Sequence, residues 1–311
     1  MILDQERKRN LKIQERSGIN IGLKDGFREV ELVIPDQFGS VVETLKTCYK
    51  YGFRSLVVPQ NVLAAPNNPK SIVSMSGLYK EIYTGLLKIN RTAKKYRIEL
   101  SFHADTMSIL SSDEAHKKEL YREAVRVFCH SSHILDGRLF GIKPGEAKGM
   151  YEKEAVRTVV QELNTITESL KVDTPIGIET TGKLTDIGSL NNVIEIVKNT
   201  HQTEPLINFG TLHARGSGSL TSQLDISKIF DEIESKLGSE YLKNPVMYFT
   251  TLSYGPSGET GVTTMSKSNL KFENIAKELI NRGMPCTIIV DTPGKEIDAL
   301  KCIKIIDENM K

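Results

Sequence analysis

No stretch of the 311 residues approaches the ~18 consecutive apolar residues that a membrane-spanning helix needs. The N-terminal run MILDQERKRNLKIQERSG is densely charged and has no apolar centre, so it does not read as a signal peptide. Cysteine is scarce. Cys48, Cys129, Cys286 and Cys302 lie far apart, no CxxC pair occurs, and each sits in or beside an apolar run. That pattern reads as four buried thiols and disfavours a disulfide or zinc framework. Net charge is also small. At +2 it gives no bulk electrostatic case for nucleic acid and leaves only a local basic face as an option. HExxH, GxSxG and the kinase signatures are absent, and SYGPSGE lacks the GK[ST] ending of a P-loop. These absences predict a soluble, cytoplasmic protein with no membrane association, and they name no reaction.

What is present is regular. Hydrophobic residues at 39% and charged residues at 26% describe an ordinary globular chain, long enough to bury a core without staples. Residues 1–28 are charge-rich and weakly periodic and read as an N-terminal extension, with a helix lying on the main body. Short apolar or β-branched runs then recur at Glu29–Ile34, Ser55–Val58, Ile98–His103, Leu139–Ile142, Ile176–Glu179, Leu206–Phe209, Val246–Thr251 and Cys286–Val290. Between them lie segments with apolar residues at helical spacing, such as Val41–Tyr51 and Ala155–Leu170. Eight strand–helix repeats without hairpin signals predict a parallel sheet, and eight is the number that closes as a TIM (β/α)8 barrel over residues 29–311. Long loops are expected at Pro59–Ser76 and Tyr254–Ser268, both after strand C-terminal ends.

In such a barrel the chemistry comes from strand C-termini. Read in order, these give Gln60 and Asn61, His103 with Asp105, Lys143, Glu179 with Lys183, Asn208 with His213 and Arg215, Tyr248, and Asp291. Each alone has a bland explanation: His103 as a hydrogen-bonded packing residue, Glu179 and Asp291 as helix caps. Together they are too many ionisable groups for a barrel mouth assembled by packing alone. The loop HARGSGSLTS has the glycines and serines of a phosphate-holding turn, although taken alone it reads better as an ordinary capped β–α turn.

Four segments resemble the endonuclease IV family of apurinic/apyrimidinic-site nucleases in its archaeal form: SFHADTMSIL (101–110), GIETTGKLTDIGSL (177–190), LINFGTLHARGSGSL (206–220) and NLKFENIAKELINRGMPCTIIVDTPGKEIDAL (269–300). Their order and spacing agree with the family over most of the chain. The resemblance implies a TIM barrel that binds damaged DNA at its C-terminal face. It also implies three zinc ions on a ring of histidines and carboxylates, which activate hydroxide to cleave the phosphodiester.

The departures matter more. By this resemblance His103 and Glu179 stand at retained ligand positions and Asp291 replaces a glutamate. The strand-four motif reads Ile142-Lys143-Pro144-Gly145, with an ammonium where the family has a histidine. Asn208 and Thr211 replace an aspartate and a histidine, and Tyr248 replaces another histidine. Of nine family ligands two are retained, one is conservatively changed and six are absent, and zinc accepts neither protonated lysine nor threonine as a donor. The leading expectation is therefore an impaired or reassigned relative in a DNA-repair context. It needs no cofactor, and Lys143, Lys183, Asn208, His213, Arg215 and Tyr248 serve binding, with DNA as the partner at the barrel face. The alternative is an enzyme, an abasic-site phosphodiesterase or a sugar isomerase-like protein, holding a single divalent metal such as zinc on His103, Glu179 and Asp291. Under the leading expectation Lys143 takes the electrostatic place of the lost cations beside Glu179 and Asp291.

Overall fold

The alternation of Ile19, Ile21 and Leu23 in INIGLK puts three apolar side chains on one face of an extended segment and Asn20, Gly22 and Lys24 on the other. In the computed structural model, which describes residues 2–24, 26–27, 37–62, 79–109 and 115–311, this segment is strand β1 (Ile19–Lys24). Seven more barrel strands follow: β2 (Ser55–Val58), β3 (Glu99–Ser108), β4 (Phe140–Lys143), β5 (Ile176–Glu179), β6 (Thr203–Asn208), β7 (Val246–Thr250) and β8 (Cys286–Asp291). All pairings among them are parallel, and the sheet closes in the order β1-β8-β7-β6-β5-β4-β3-β2. The expected (β/α)8 barrel is borne out. Ten helices are described around it: α1 (Ile2–Ser17), α2 (Gln37–Tyr51), α3 (Tyr79–Tyr96), α4 (Ala115–Ile134), α5 (Glu152–Thr167), α6 (Leu190–Lys198), α7 (Phe209–Arg215), α8 (Gln223–Leu237), α9 (Phe272–Arg282) and α10 (Glu296–Asn309).

The barrel begins earlier than expected. Of the expected extension, residues 1–28, the segment Ile19–Lys24 belongs to the barrel, because as β1 it closes the sheet, with Ile19 opposite Cys286 on one side and Leu23 opposite Leu56 on the other. The expected first strand, Glu29–Ile34, lies outside the described residues. The helix expected in the extension is present as α1, which lies against α2 and α10. The charged flanks of INIGLK mask a strand that is half core: Ile19, Ile21 and Leu23 are fully buried beneath the helical shell.

Parity along each strand sets the layers. Outward residues such as Ile21, Phe102, Ile178, Phe249 and Ile288 join the large core between sheet and helices. Inward residues Val57, Leu206, Val246, Tyr248 and Ile289, with Leu139, make a second cluster that fills the barrel. Below it, Thr287 Oγ1 donates across the lumen to Glu99 Oε1 at 3.1 Å. Above it, the same inward parity delivers Lys24, His103, Lys143, Glu179, Asn208, Thr250 and Asp291 to the C-terminal mouth. Gly141 makes room for this layer, since a Cβ there would sit 2.3 Å from His103 Cδ2. The four cysteines are free and buried, as expected, and burial pushes the thiols of Cys48, Cys129, Cys286 and Cys302 upward.

Candidate functional site

Glu179 is the centre of the mouth. It ends β5, is 3% exposed, and has a protein partner on each oxygen. Oε2 lies 2.9 Å from His103 Nε2, and Oε1 accepts a 2.9 Å hydrogen bond from Asn208 Nδ2. The Asn208 amide has only one orientation that works. Its Oδ1 accepts from Thr250 Oγ1 at 2.7 Å and from the backbone N–H groups of Gly210 at 3.1 Å and Thr211 at 3.3 Å, so Nδ2 is left to donate to the carboxylate. Asn208 is thus both the N-cap of α7 and the brace of Glu179. Burial alone pushes the Glu179 carboxyl up. The positive charges of Lys143, His103 and Lys24, with the His103 hydrogen bond, more than offset this and hold it at about 2.

Asp291 ends β8, three strands round the same mouth from β5, and its Oδ2 accepts from Lys24 Nζ at 3.2 Å. The Lys24 side chain is 9% exposed, and its ammonium also stands 5.5 Å from the centre of the Tyr248 ring. That ring in turn lies 5.5 Å from His103. Lys24 lies in the segment that the sequence pattern assigns to an extension. Its signal was the strand alternation ending one residue before it.

Three loops roof the mouth. After β4, Gly145–Glu146 pairs antiparallel with Asp186–Ile187 of the loop after β5. After β7, the chain makes a hairpin, Leu252–Gly255 with Gly258–Val262, which begins two residues before the expected long loop Tyr254–Ser268 and runs into it. Lys183 bridges to Gly258, and Glu259 N donates to Gly182 O at 3.0 Å, which joins the hairpin to the ETTGK loop. Gly258 has φ +87°, and a Cβ there would sit 2.2 Å from Gly182 O. Only glycine allows this approach. Under the roof is a pocket of roughly 310 Å³ lined by Ser108, Lys143, Thr181, Lys183, Glu259 and Asp186, among others. Burial raises the carboxyls of Glu259 and Asp186. Lys143 and Lys183 oppose the shift at Glu259, and Lys183 opposes it at Asp186. A larger cavity of roughly 830 Å³ lies outside the barrel between α5 and α6, away from every strand-end polar residue.

The sequence-predicted residues therefore divide. His103, Glu179 and Asn208 are hydrogen-bonded in one cluster, Tyr248 packs beneath it, and Lys143 borders both it and the pocket. Asp291 joins through Lys24, and Lys183 lines the pocket. His213 has both ring nitrogens engaged within the protein. Its Nδ1 accepts from Leu220 N at 3.2 Å, so Nε2 carries the proton and donates to Asn269 Oδ1 at 2.8 Å. Arg215 is likewise directed inward. Its Nη1 donates to the Lys183 carbonyl, which clamps the ETTGK loop, and burial lowers its pKa. The side chains of Asn61 and Asp105 lie outside the described ones. Thr250, Lys24 and Glu259 are site residues that the sequence reading missed.

The zinc site implied by the resemblance does not fit this donor set. Zinc needs lone pairs on neutral imidazole, carboxylate or thiolate, and here each Glu179 oxygen already has a protein partner, His103 or Asn208, an ammonium stands on Asp291, and Lys143, Asn208 and Tyr248 offer no such donor. Among the described residues no group of three or more His, Cys, Asp or Glu side chains converges as a metal cluster.

Comparison with known proteins agrees on architecture. No family model matches the chain. An uncharacterized protein of Methanocaldococcus jannaschii is 23% identical over 246 residues, which is 76% of this chain and 89% of that protein. Endonuclease IV from Thermus thermophilus superimposes with a TM-score of 0.67 at 10% identity, covering 94% of this chain and 98% of that one. A D-tagatose 3-epimerase-like protein gives 0.63 at 14% identity, covering 94% and 97%. At these identities the likeness is one of fold: the chain is a TIM barrel, the fold of those structures. No helix among the described residues is long and apolar enough to cross a membrane.

Proposed function

We propose that this chain is an endonuclease IV-like barrel reassigned away from zinc-dependent phosphodiester cleavage, and that its mouth binds a phosphate-bearing ligand, with the backbone of abasic-site DNA as the foremost candidate. The observation that carries the reading is the closure of Glu179. Metal-assisted hydrolysis needs carboxylate oxygens free to clamp cations that hold the attacking and leaving groups. Here each Glu179 oxygen is engaged by a protein partner, His103 or Asn208. Lys143 and Lys183 in the roofed pocket are the cations that would meet a phosphate, while Arg215 and His213 hold the loops that present them. A cytoplasmic setting, with the buried thiols reduced, accompanies this reading.

A second reading has one specific observation in its favour. The pocket also gathers Glu146, Asp186 and Glu259, whose oxygens suit hydroxyl donors better than they suit phosphate. A small polyhydroxylated molecule, of the kind the name of the epimerase-like protein suggests for that protein, matches a cavity of this size.

Fluorescence anisotropy of an abasic-site duplex across a salt series tests the choice. Salt-sensitive binding that Lys143→Met and Lys183→Met weaken supports the DNA reading. Absence of binding, with stabilisation by a sugar or sugar phosphate, supports the second. Robust zinc-dependent incision abolished by Glu179→Gln would overturn the reassignment altogether.

A further inference from the structure

The mouth of a barrel that brings Glu179 and Asp291 to one rim needs positive charge between them and around them. We propose that the chain carries that charge itself: the ammonium groups of Lys24 and Lys143 are resident cations that replace bound metal, each matched to one carboxylate, Lys24 to Asp291 and Lys143 to Glu179. This rests on the same reading of the mouth as the proposed function, but its test uses neither DNA nor substrate.

The geometry supplies the argument. Lys24 leaves β1 on the inward face and meets Asp291 of the adjacent strand β8. Register places Leu23 opposite Val290, so the next residue along each strand, Lys24 and Asp291, is delivered to the same level of the mouth. The long apolar stem of Lys24 is buried and its ammonium is held between the Asp291 oxygen and the Tyr248 ring face. A histidine at Tyr248 would offer a lone pair at this place, whereas the tyrosine offers a π-face, which suits an ammonium. Lys143 leaves β4 next to β5, and the pairing of Ile142 with Ile178 delivers the next residue of each strand, Lys143 and Glu179, to the same level of the mouth with the same inward parity. Glu179 also has His103 on one oxygen and Asn208 on the other, which leaves a lone pair on each.

Three neighbouring substitutions thus point the same way. Lys143 supplies charge, Asn208 supplies a donor where an aspartate would repel, and Tyr248 supplies an aromatic face. A site that merely lost its ligands would leave Glu179 and Asp291 facing each other without cations. Here both Glu179 and Asp291 have an ammonium assigned to them. Lys143 has a second face, because it also lines the 310 Å³ pocket. An anionic group entering there would compete with Glu179 and Glu259 for the same ammonium, which makes Lys143 the point where ligand binding and the resident lattice meet.

Double-mutant cycles read by thermal denaturation test the assignment, together with zinc titration of chelator-treated protein by calorimetry. Lys143→Met and Lys24→Met should each lower Tm by roughly 5 °C or more, as loss of a buried partner does in a chain of this size. Glu179→Gln should recover most of the loss from Lys143→Met and little of that from Lys24→Met, and Asp291→Asn should do the converse. Zinc should leave the Tm of the unsubstituted protein unchanged, and Lys143→His alone should not create a zinc site of micromolar affinity. If a single lysine variant fails to fold, the same lysine is replaced in the Glu179→Gln or Asp291→Asn background, where the cost should be small. Two results would overturn the proposal: stoichiometric zinc uptake that stabilises the unsubstituted protein, or lysine losses that the matching carboxylate substitution does not relieve.

Discussion

Replacing Asn208 by aspartate changes one atom of the inner site and reverses its electrostatics. Nδ2 donates to Glu179 Oε1 at 2.9 Å, whereas the oxygen that would take its place in Asn208→Asp cannot donate unless it is protonated. Two facing carboxylates in a buried site share one proton rather than both ionise. Glu179 is held at about 2, so the introduced carboxyl is the one that keeps the proton. Keeping a carboxyl of ordinary pKa near 4 protonated at pH 7 costs ~1.4 kcal/mol per pH unit, about 4 kcal/mol in all. The N-cap role offsets little of this, because aspartate caps about as well as asparagine and gains ~0.3–1 kcal/mol from the dipole of α7 only when ionised. The sign follows from linkage. A group whose folded pKa is raised contributes stability below its unfolded pKa and loses it as pH rises, so the variant should be nearly as stable as the parent at pH 4 and about 4 kcal/mol weaker at pH 7. Urea denaturation at pH 4, 5.5 and 7 measures this directly. A penalty below ~1 kcal/mol at pH 7, or one that does not change with pH, would refute the reasoning, since it would mean that water or a movement of Glu179 relieves the contact at little cost.

Two further expectations concern the mouth. Glu179 has a folded pKa depressed from its ordinary 4.5 to about 2, so its contribution is present above 4.5 and disappears as pH falls through 2. The acid limb of the stability profile should therefore flatten between those values in Glu179→Gln, and an unchanged slope would show that the carboxylate is not held as described. Gly258→Ala forces a Cβ against Gly182 O at φ +87° and should separate the hairpin from the ETTGK loop, with a loss of ~2 kcal/mol or more and faster amide exchange at Glu259. Unchanged exchange at that amide would mean that the roof is not held there.

Strand and helix identity were legible wherever side-chain period alone decides them. Ser55–Val58 and Ile176–Glu179 form strands as expected, and the stripe Val156, Val159, Leu163 and Ile166 is buried on α5. The same period made the inward residues at strand ends predictable, because two residues of equal parity on one strand share a face whatever the rest of the chain does. It failed at INIGLK, where charged neighbours outweighed a three-residue apolar face and a stronger β-branched run stood just downstream. What the chain could not reveal was how each polar group spends its hydrogen-bonding capacity. Lys24 and Asp291 are 267 positions apart and meet only because the barrel closes. His213 and Arg215 carry the residue types of a binding site, yet His213 spends both ring nitrogens on Leu220 and Asn269 and Arg215 turns Nη1 to the Lys183 carbonyl. An imidazole or guanidinium has the same chemistry whether it faces a ligand or its own backbone. Which of the two it faces is set by loop packing across the sheet, a property of distances between residues remote in sequence, and so it belongs to the tertiary structure alone.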